Sequence, residues 1–146
     1  MSKVYLVSAK RSAIGTMLGT LKDVTPTDLG AKVLKAALEA GGVKPEWLDE
    51  VVVGNVLPAG VKQGPARQVA IGAGVPVEIP AYSLNMVCGS GMKAVMNAVT
   101  AIKAGMANLV AAGEDVLISF GVSQKVIDFF QVVQVAHQQG NRENVW

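Results

Sequence analysis

One cysteine in 146 residues, Cys88, leaves no pair to close a disulfide framework, and a lone thiol is at home in a reducing cytoplasm, the expected setting. Aromatic residues make up only 5% of the chain, too few for base stacking. The basic residues are scattered, with Lys10 and Arg11 the one adjacent pair, and the net charge is only +2, so no basic stripe points to nucleic acid. No apolar run reaches the roughly 18 residues that a membrane helix requires. Met1-Ser2-Lys3-Val4-Tyr5-Leu6-Val7 is one short apolar run without a small-residue cleavage pattern behind it, and it reads as a strand and not as a signal peptide. Neither nucleic acid nor membrane is expected as a partner.

What the chain does have is apolar residues, 51% against 16% charged, which is enough for one globular core. Sixteen glycines beside short apolar runs lean toward an α/β fold. Val4 to Ala9 predicts a first strand. Thr25-Pro26-Thr27-Asp28 supplies a hydroxyl cap, a proline at the first helical position and an acid, so a helix is expected from Pro26 to about Ala40. Its apolar stripe is Leu29, Val33, Ala36 and Ala40, widened by Leu34 and Leu38, with Gly41-Gly42 as the stop. Glu50 to Gly54 predicts a second strand and, with the first, a right-handed parallel crossover. A short helix over Pro65 to Gly74 and a third strand over Ala81 to Asn85 follow.

Beyond Cys88, a segment from Gly89 to Ala104 is apolar nearly all round and predicts a buried helix. Leu109 to Gly113 predicts a fourth strand, giving the order β-α-β-α-β-α-β in a parallel or mixed sheet with βαβ units. Met92, Met96 and Met106 are expected to be core packing and not a metal ligand set, and no metal site is read. From Glu114 the character changes. Val126, Phe129, Phe130 and Val133 form a helical stripe, and glutamines crowd Gln131 to Gln139. The stretch 114–146 is therefore expected to be a divergent or truncated tail, helical in part, behind a domain over 1–113.

Cys88 stands where the third strand feeds the buried helix, between Val87 and Gly89-Ser90-Gly91, at the carboxyl end of a strand where open α/β sheets bind ligands. The unpaired N–H groups of a helix start favour thiolate over thiol and could hold an oxyanion on a thioester carbonyl. That position suits covalent acyl transfer. The alternative is a small buried hydrophobe, common for an arbitrary lone cysteine.

Asn85-Met86-Val87-Cys88-Gly89-Ser90-Gly91-Met92-Lys93-Ala94-Val95 resembles the acyl-enzyme signature of thiolases, specifically the biosynthetic, acetoacetyl-CoA-forming kind. Three further blocks agree in order: Ala9 to Gly15, Gly54 to Gly60, and Gly64-Pro65-Ala66-Arg67-Gln68. The resemblance extends over about Lys3 to Gly113, and the Asn-x-x-Cys-Gly-Ser-Gly run favours thiolases over ketoacyl synthases, which also use a strand-to-helix cysteine. It implies an acetyl-CoA C-acetyltransferase with a thiolase-like N-terminal fold. Cys88 would take the acyl group from an acyl-CoA, its own backbone N–H would help to hold the oxyanion, and a second acetyl-CoA would attack in a Claisen condensation, with thiolysis as the reverse. The CoA thioester would be substrate and not a resident cofactor, and the chain would act within a homo-oligomer.

The same resemblance places the family's activating histidine, its second cysteine, its oxyanion-completing loop and its CoA contacts in a C-terminal half that these residues do not match. This chain alone is therefore expected not to complete the reaction, and its CoA-binding residues are not identified. His137 lies among glutamines and is left out of the site, since a catalytic base must reach the sulfur directly or through one water. Arg11 and Arg67 are expected as loop anchors or ion-pair partners before phosphate binders. Asn85 and Ser90 are expected to bond backbone groups of the turn and the helix start.

Overall fold

The Thr25 side chain accepts the Asp28 N–H at 3.1 Å and starts helix α1 at Pro26, as the hydroxyl, proline and acid pattern predicts. The helix spans Pro26–Ala40 and is closed by Gly41 and the left-handed Gly42 (φ 62°). The computed structural model describes residues 3–16, 18–116 and 127–136. Strand β1 covers Lys3–Arg11, β2 Glu50–Gly54, β3 Ala81–Leu84 and β4 Leu109–Val116, with helices α2 over Pro65–Gly72 and α3 over Ser90–Lys103. A 3-10 turn at Pro45–Trp47 leads into β2.

The last described element is a strand, β5, Ile127–Ala136, where a partly helical tail was expected. Its sequence is dense in Ile, Val and Phe, residues suited to a pleated surface, and pairing on both sides outweighs the loose helical spacing of its apolar positions. It lies antiparallel to β1 and to β4, with Lys3 opposite Ala136 and Leu109 opposite Gln134. Val126 and His137 fall outside the described residues.

The sheet runs in the order β1-β5-β4-β2-β3, with β2 parallel to both β3 and β4. The first crossover does join parallel strands, but β5 and β4 separate β1 from β2. The side-chain alternation of a strand divides the core in two. Val51 and Val53 of β2 join Leu109 and Ala111 of β4 under α1 and α2, while Val52 joins Val110 and Ala112 under α3. The buried face of α1 is centred on Val33, Leu34, Ala37 and Leu38, and Ala40 is exposed, so the stripe is rotated toward the leucines first placed at its margin.

Helix α3 also departs from expectation. It buries Ala94, Ala98 and Ile102 against the sheet and leaves Met92 and Met96 more than half exposed, so it is a one-faced helix. Met106, just beyond it, is 81% exposed. In this chain the methionines are therefore not core, because the sheet lies on one side of α3 only and the alanines occupy that side.

Candidate active site

The parallel strands β2 and β3 end at the same edge, where Gly54 is paired with Leu84 on one side and with Glu114 of β4 on the other. The chain leaves β3 there and turns into α3 through Asn85 to Gly89. This turn is closed by its own polar groups. Asn85 Oδ1 accepts the Val87 N–H at 2.8 Å, and Ser90 Oγ accepts the Met86 N–H at 2.9 Å while donating to the Val87 carbonyl at 2.6 Å. The Gly89 N–H donates to the Met86 carbonyl and the Ser90 N–H to the Val87 carbonyl. Asn85 Nδ2 ties the turn to the Val56 carbonyl beyond β2 at 3.1 Å. Asn85 and Ser90 thus take the backbone-bonding roles expected of them.

Cys88 stands at the crest of this turn and is exposed, which sets aside the reading as a small buried hydrophobe. The N–H groups of Met86, Val87, Gly89 and Ser90 are used within the turn, and the Cys88 N–H takes part in none of those four bonds. Val87 has φ of 49°, a left-handed conformation that strains a β-branched residue and points to a turn whose shape is imposed by its surroundings.

Those surroundings are two strand ends pressed against the start of α3. A Cβ on Gly54 would lie 2.6 Å from the Ser90 carbonyl carbon and 2.7 Å from the Gly91 nitrogen, so only glycine lets β2 and the helix start approach this closely. A Cβ on Gly91 would lie 2.6 Å from Glu114 Oε2 and 2.7 Å from Glu114 Cβ. Glu114 is half-buried against this turn. Desolvation raises its pKa above the ordinary carboxylate value, and a hydrogen bond from the Gly91 backbone N–H acts in the opposite direction.

Glu114 and Gly54 are the site residues that sequence reasoning missed. Gly54 closes a β-branched run, a signal for close backbone approach, but Glu114 was assigned to the tail because its pairing with β2 is long-range. Arg67 is a loop anchor, donating to the carbonyls of Val77 at 3.2 Å and Ile79 at 2.9 Å, away from the cysteine turn. Its neighbour Gln68 donates to the Val61 and Gln63 carbonyls, and the Ala66 N–H donates to Ser83 Oγ on β3, so the Gly64 to Gln68 block braces the loop ahead of α2. Arg11 donates to the adjacent Ser12 carbonyl at 3.3 Å, and among the described residues no hydrogen bond joins it to the cysteine turn.

A strand, a strained polar turn bearing an exposed cysteine, and a helix docked on glycine make up the candidate site. The sequence profile of the family described as "Thiolase, N-terminal domain" matches residues 4–132, and the chain belongs to that family. The match continues past Gly113, where the motif likeness was expected to end, and takes in the first part of β5. An acetyl-CoA acetyltransferase of Cupriavidus necator is 55% identical over 113 residues, 77% of this chain and 29% of that protein. The cytosolic acetyl-CoA acetyltransferase of Rattus norvegicus is 46% identical over 110 residues, 75% of this chain and 28% of its own length. In structure, the chain resembles the Acat5 thiolase of Ascaris suum crystallised with coenzyme A, with a TM-score of 0.75 and 33% identity over 84% of this chain and 35% of that one. The chain thus spans less than a third of the length of these curated relatives.

Proposed function

We propose that this chain carries the acyl-accepting part of a thiolase-type acyltransferase site, with Cys88 as nucleophile. The observation that carries the reading is the turn itself: an exposed cysteine at the carboxyl ends of parallel strands, on a turn closed by its own polar groups. In the forward step the Cys88 thiolate attacks the thioester carbonyl carbon of an acyl-CoA. The carbonyl oxygen becomes an oxyanion facing the Cys88 N–H, and its collapse breaks the bond to the CoA sulfur. CoA leaves as a thiolate that takes up a proton, and the acyl group stays on Sγ. A second acetyl-CoA, deprotonated at its α-carbon, would attack that acyl group to form acetoacetyl-CoA and return the cysteine, and thiolysis is the reverse.

The names of the relatives, acetyl-CoA acetyltransferases, and the coenzyme A in the Ascaris structure support a CoA thioester as substrate, with no resident cofactor in this reading. The exposed lone thiol fits a reducing, cytoplasmic setting, and the wide exposed flank of α3 fits a homo-oligomer. The 146 residues contain one cysteine and one histidine, His137. These residues by themselves hold no second thiol to act as acid or base, so acylation by this segment alone is expected to stop at the acyl-enzyme. The test is incubation with acetyl-CoA and intact-mass analysis, with Cys88→Ala as control. A single acetyl group on Cys88 without continued CoA release is expected. If Cys88 gains no acetyl group, the chain is instead a thiolase-like scaffold or a CoA-binding module without acyl transfer.

A further inference from the structure

Helix α3 starts without the devices that normally satisfy a helix N-terminus. Its cap residue is Gly89, no side chain of its own segment caps it, and its first turn contains no acid. The missing acceptor arrives from another element. Glu114, near the carboxyl end of β4 and in register with Gly54, lays its carboxyl group on Gly91, so closely that position 91 has no room for a Cβ. Gly91 is the third residue after Cys88, and Ser90 between them is fully buried and bonded on both sides into the cysteine turn. A group that grips Gly91 therefore grips the frame on which Cys88 stands.

We infer that Glu114 is a positioning residue for Cys88, holding the first turn of α3 from β4 and setting the charge beside the nucleophile. The inference rests on Cys88 being the nucleophile of the proposed reaction. A carboxylate at this place opposes the positive field of the helix start behind Cys88. The charged residue that α3 itself brings to this turn is Lys93. From β2 and the residue after it come Gly54 and Asn55, which do not titrate, and from β3 comes Leu84. On β5, Phe129 pairs with Glu114, and Asp128 pairs with Asp115 one step along.

The experiment compares the full chain with Glu114→Gln and Glu114→Leu, measuring the rate of Cys88 alkylation by iodoacetamide across pH and the hydrogen exchange of the Gly91 amide. Glutamine keeps an oxygen that accepts the Gly91 N–H but removes the charge. Its alkylation midpoint is expected to move to lower pH, with a rate near neutrality raised about two- to fivefold and Gly91 exchange as slow as in the wild type. Leucine is expected to move the midpoint the same way and to speed Gly91 exchange. The inference is overturned if the midpoint of Glu114→Gln stays or rises, or if Gly91 is equally protected in all three proteins. Should circular dichroism show that Glu114→Leu does not fold, the comparison of wild type with Glu114→Gln decides alone. Alkylation uses no acetyl-CoA, so the two readings fail separately. A moved midpoint in a chain that is never acetylated keeps Glu114 as a positioning residue for the thiol but removes the acyl-transfer reading and with it the thiol's role as nucleophile, and acetylation with an unmoved midpoint removes the inference alone.

Discussion

The two faces of the sheet are built from different materials. Under α1 and α2 the core is led by leucines and valines, with Leu34, Leu38, Leu48, Val51, Val53 and Val69 at or near complete burial and alanines such as Ala37 and Ala70 between them. Under α3 the helix contributes no leucine: Ala94 and Ala98, followed by Ile102 at its far end, face Val52, Val110 and Ala112. Short side chains let a helix lie close to a sheet, and this closeness brings the start of α3 onto the backbone of Gly54. The first face supplies most of the burial that holds the domain, while the second supplies a distance that places Cys88.

The largest test of this contrast is Leu34→Ala, expected to cost about 2–5 kcal/mol in urea unfolding because it empties a fully buried position. Met96→Ala on the exposed flank of α3 should stay within about 0.5 kcal/mol of wild type. Equal losses would erase the distinction between the faces. Next in size, Gly54→Ala should cost about 1–3 kcal/mol by forcing β2 away from α3, and it should slow Cys88 alkylation as the turn shifts. A variant that keeps both its stability and its alkylation rate would show that the close approach does not position the nucleophile.

Val87→Gly sharpens the comparison from the other side. Glycine adopts the left-handed conformation without strain but adds freedom to the unfolded chain, and the two effects are of similar size. Its stability should lie within about 1 kcal/mol of wild type. A loss well beyond that, measured by thermal unfolding, would mean that the Val87 side chain and not its backbone secures the turn.

The smallest effect is in pH. Glu50, at the start of β2, has a raised pKa because of burial and then the neighbouring Asp49, and Glu114 is raised by burial. Both folded values exceed the ordinary one of 4.5, so the stability these groups contribute is complete below that value and is lost as pH rises through the folded values. Glu50→Gln should remove part of that decline, and an unchanged slope of stability between about pH 4.5 and neutrality would refute the assignment to this residue.

Much of this architecture was legible in the residues. The Thr25-Pro26-Asp28 start, the run of three valines in β2 and the glycines around Cys88 are local signals, and the structure places α1, β2 and the cysteine turn where they point. The places where the reading departed depend on partners far away in sequence. β5 is a strand because β1 and β4 flank it, α3 is one-faced because a sheet covers one of its sides only, and Glu114 enters the site through its pairing with Gly54. The periodicity of Met92 and Met96 marks a helix correctly, but it does not say which side the sheet will take.

Lys3 and Ala136 are neighbours across the sheet although almost the whole chain lies between them. While the polypeptide is being synthesised, β2, β3 and β4 can pair as soon as they emerge, but β1 has no strand to join until β5 arrives. The sheet thus closes from the middle outward, with β5 as the bridge that admits the oldest strand last. Contacts of such long sequence separation slow folding. The waiting β1, with exposed Tyr5 and Leu6, is the segment most open to capture by a chaperone or by another nascent copy in the interval.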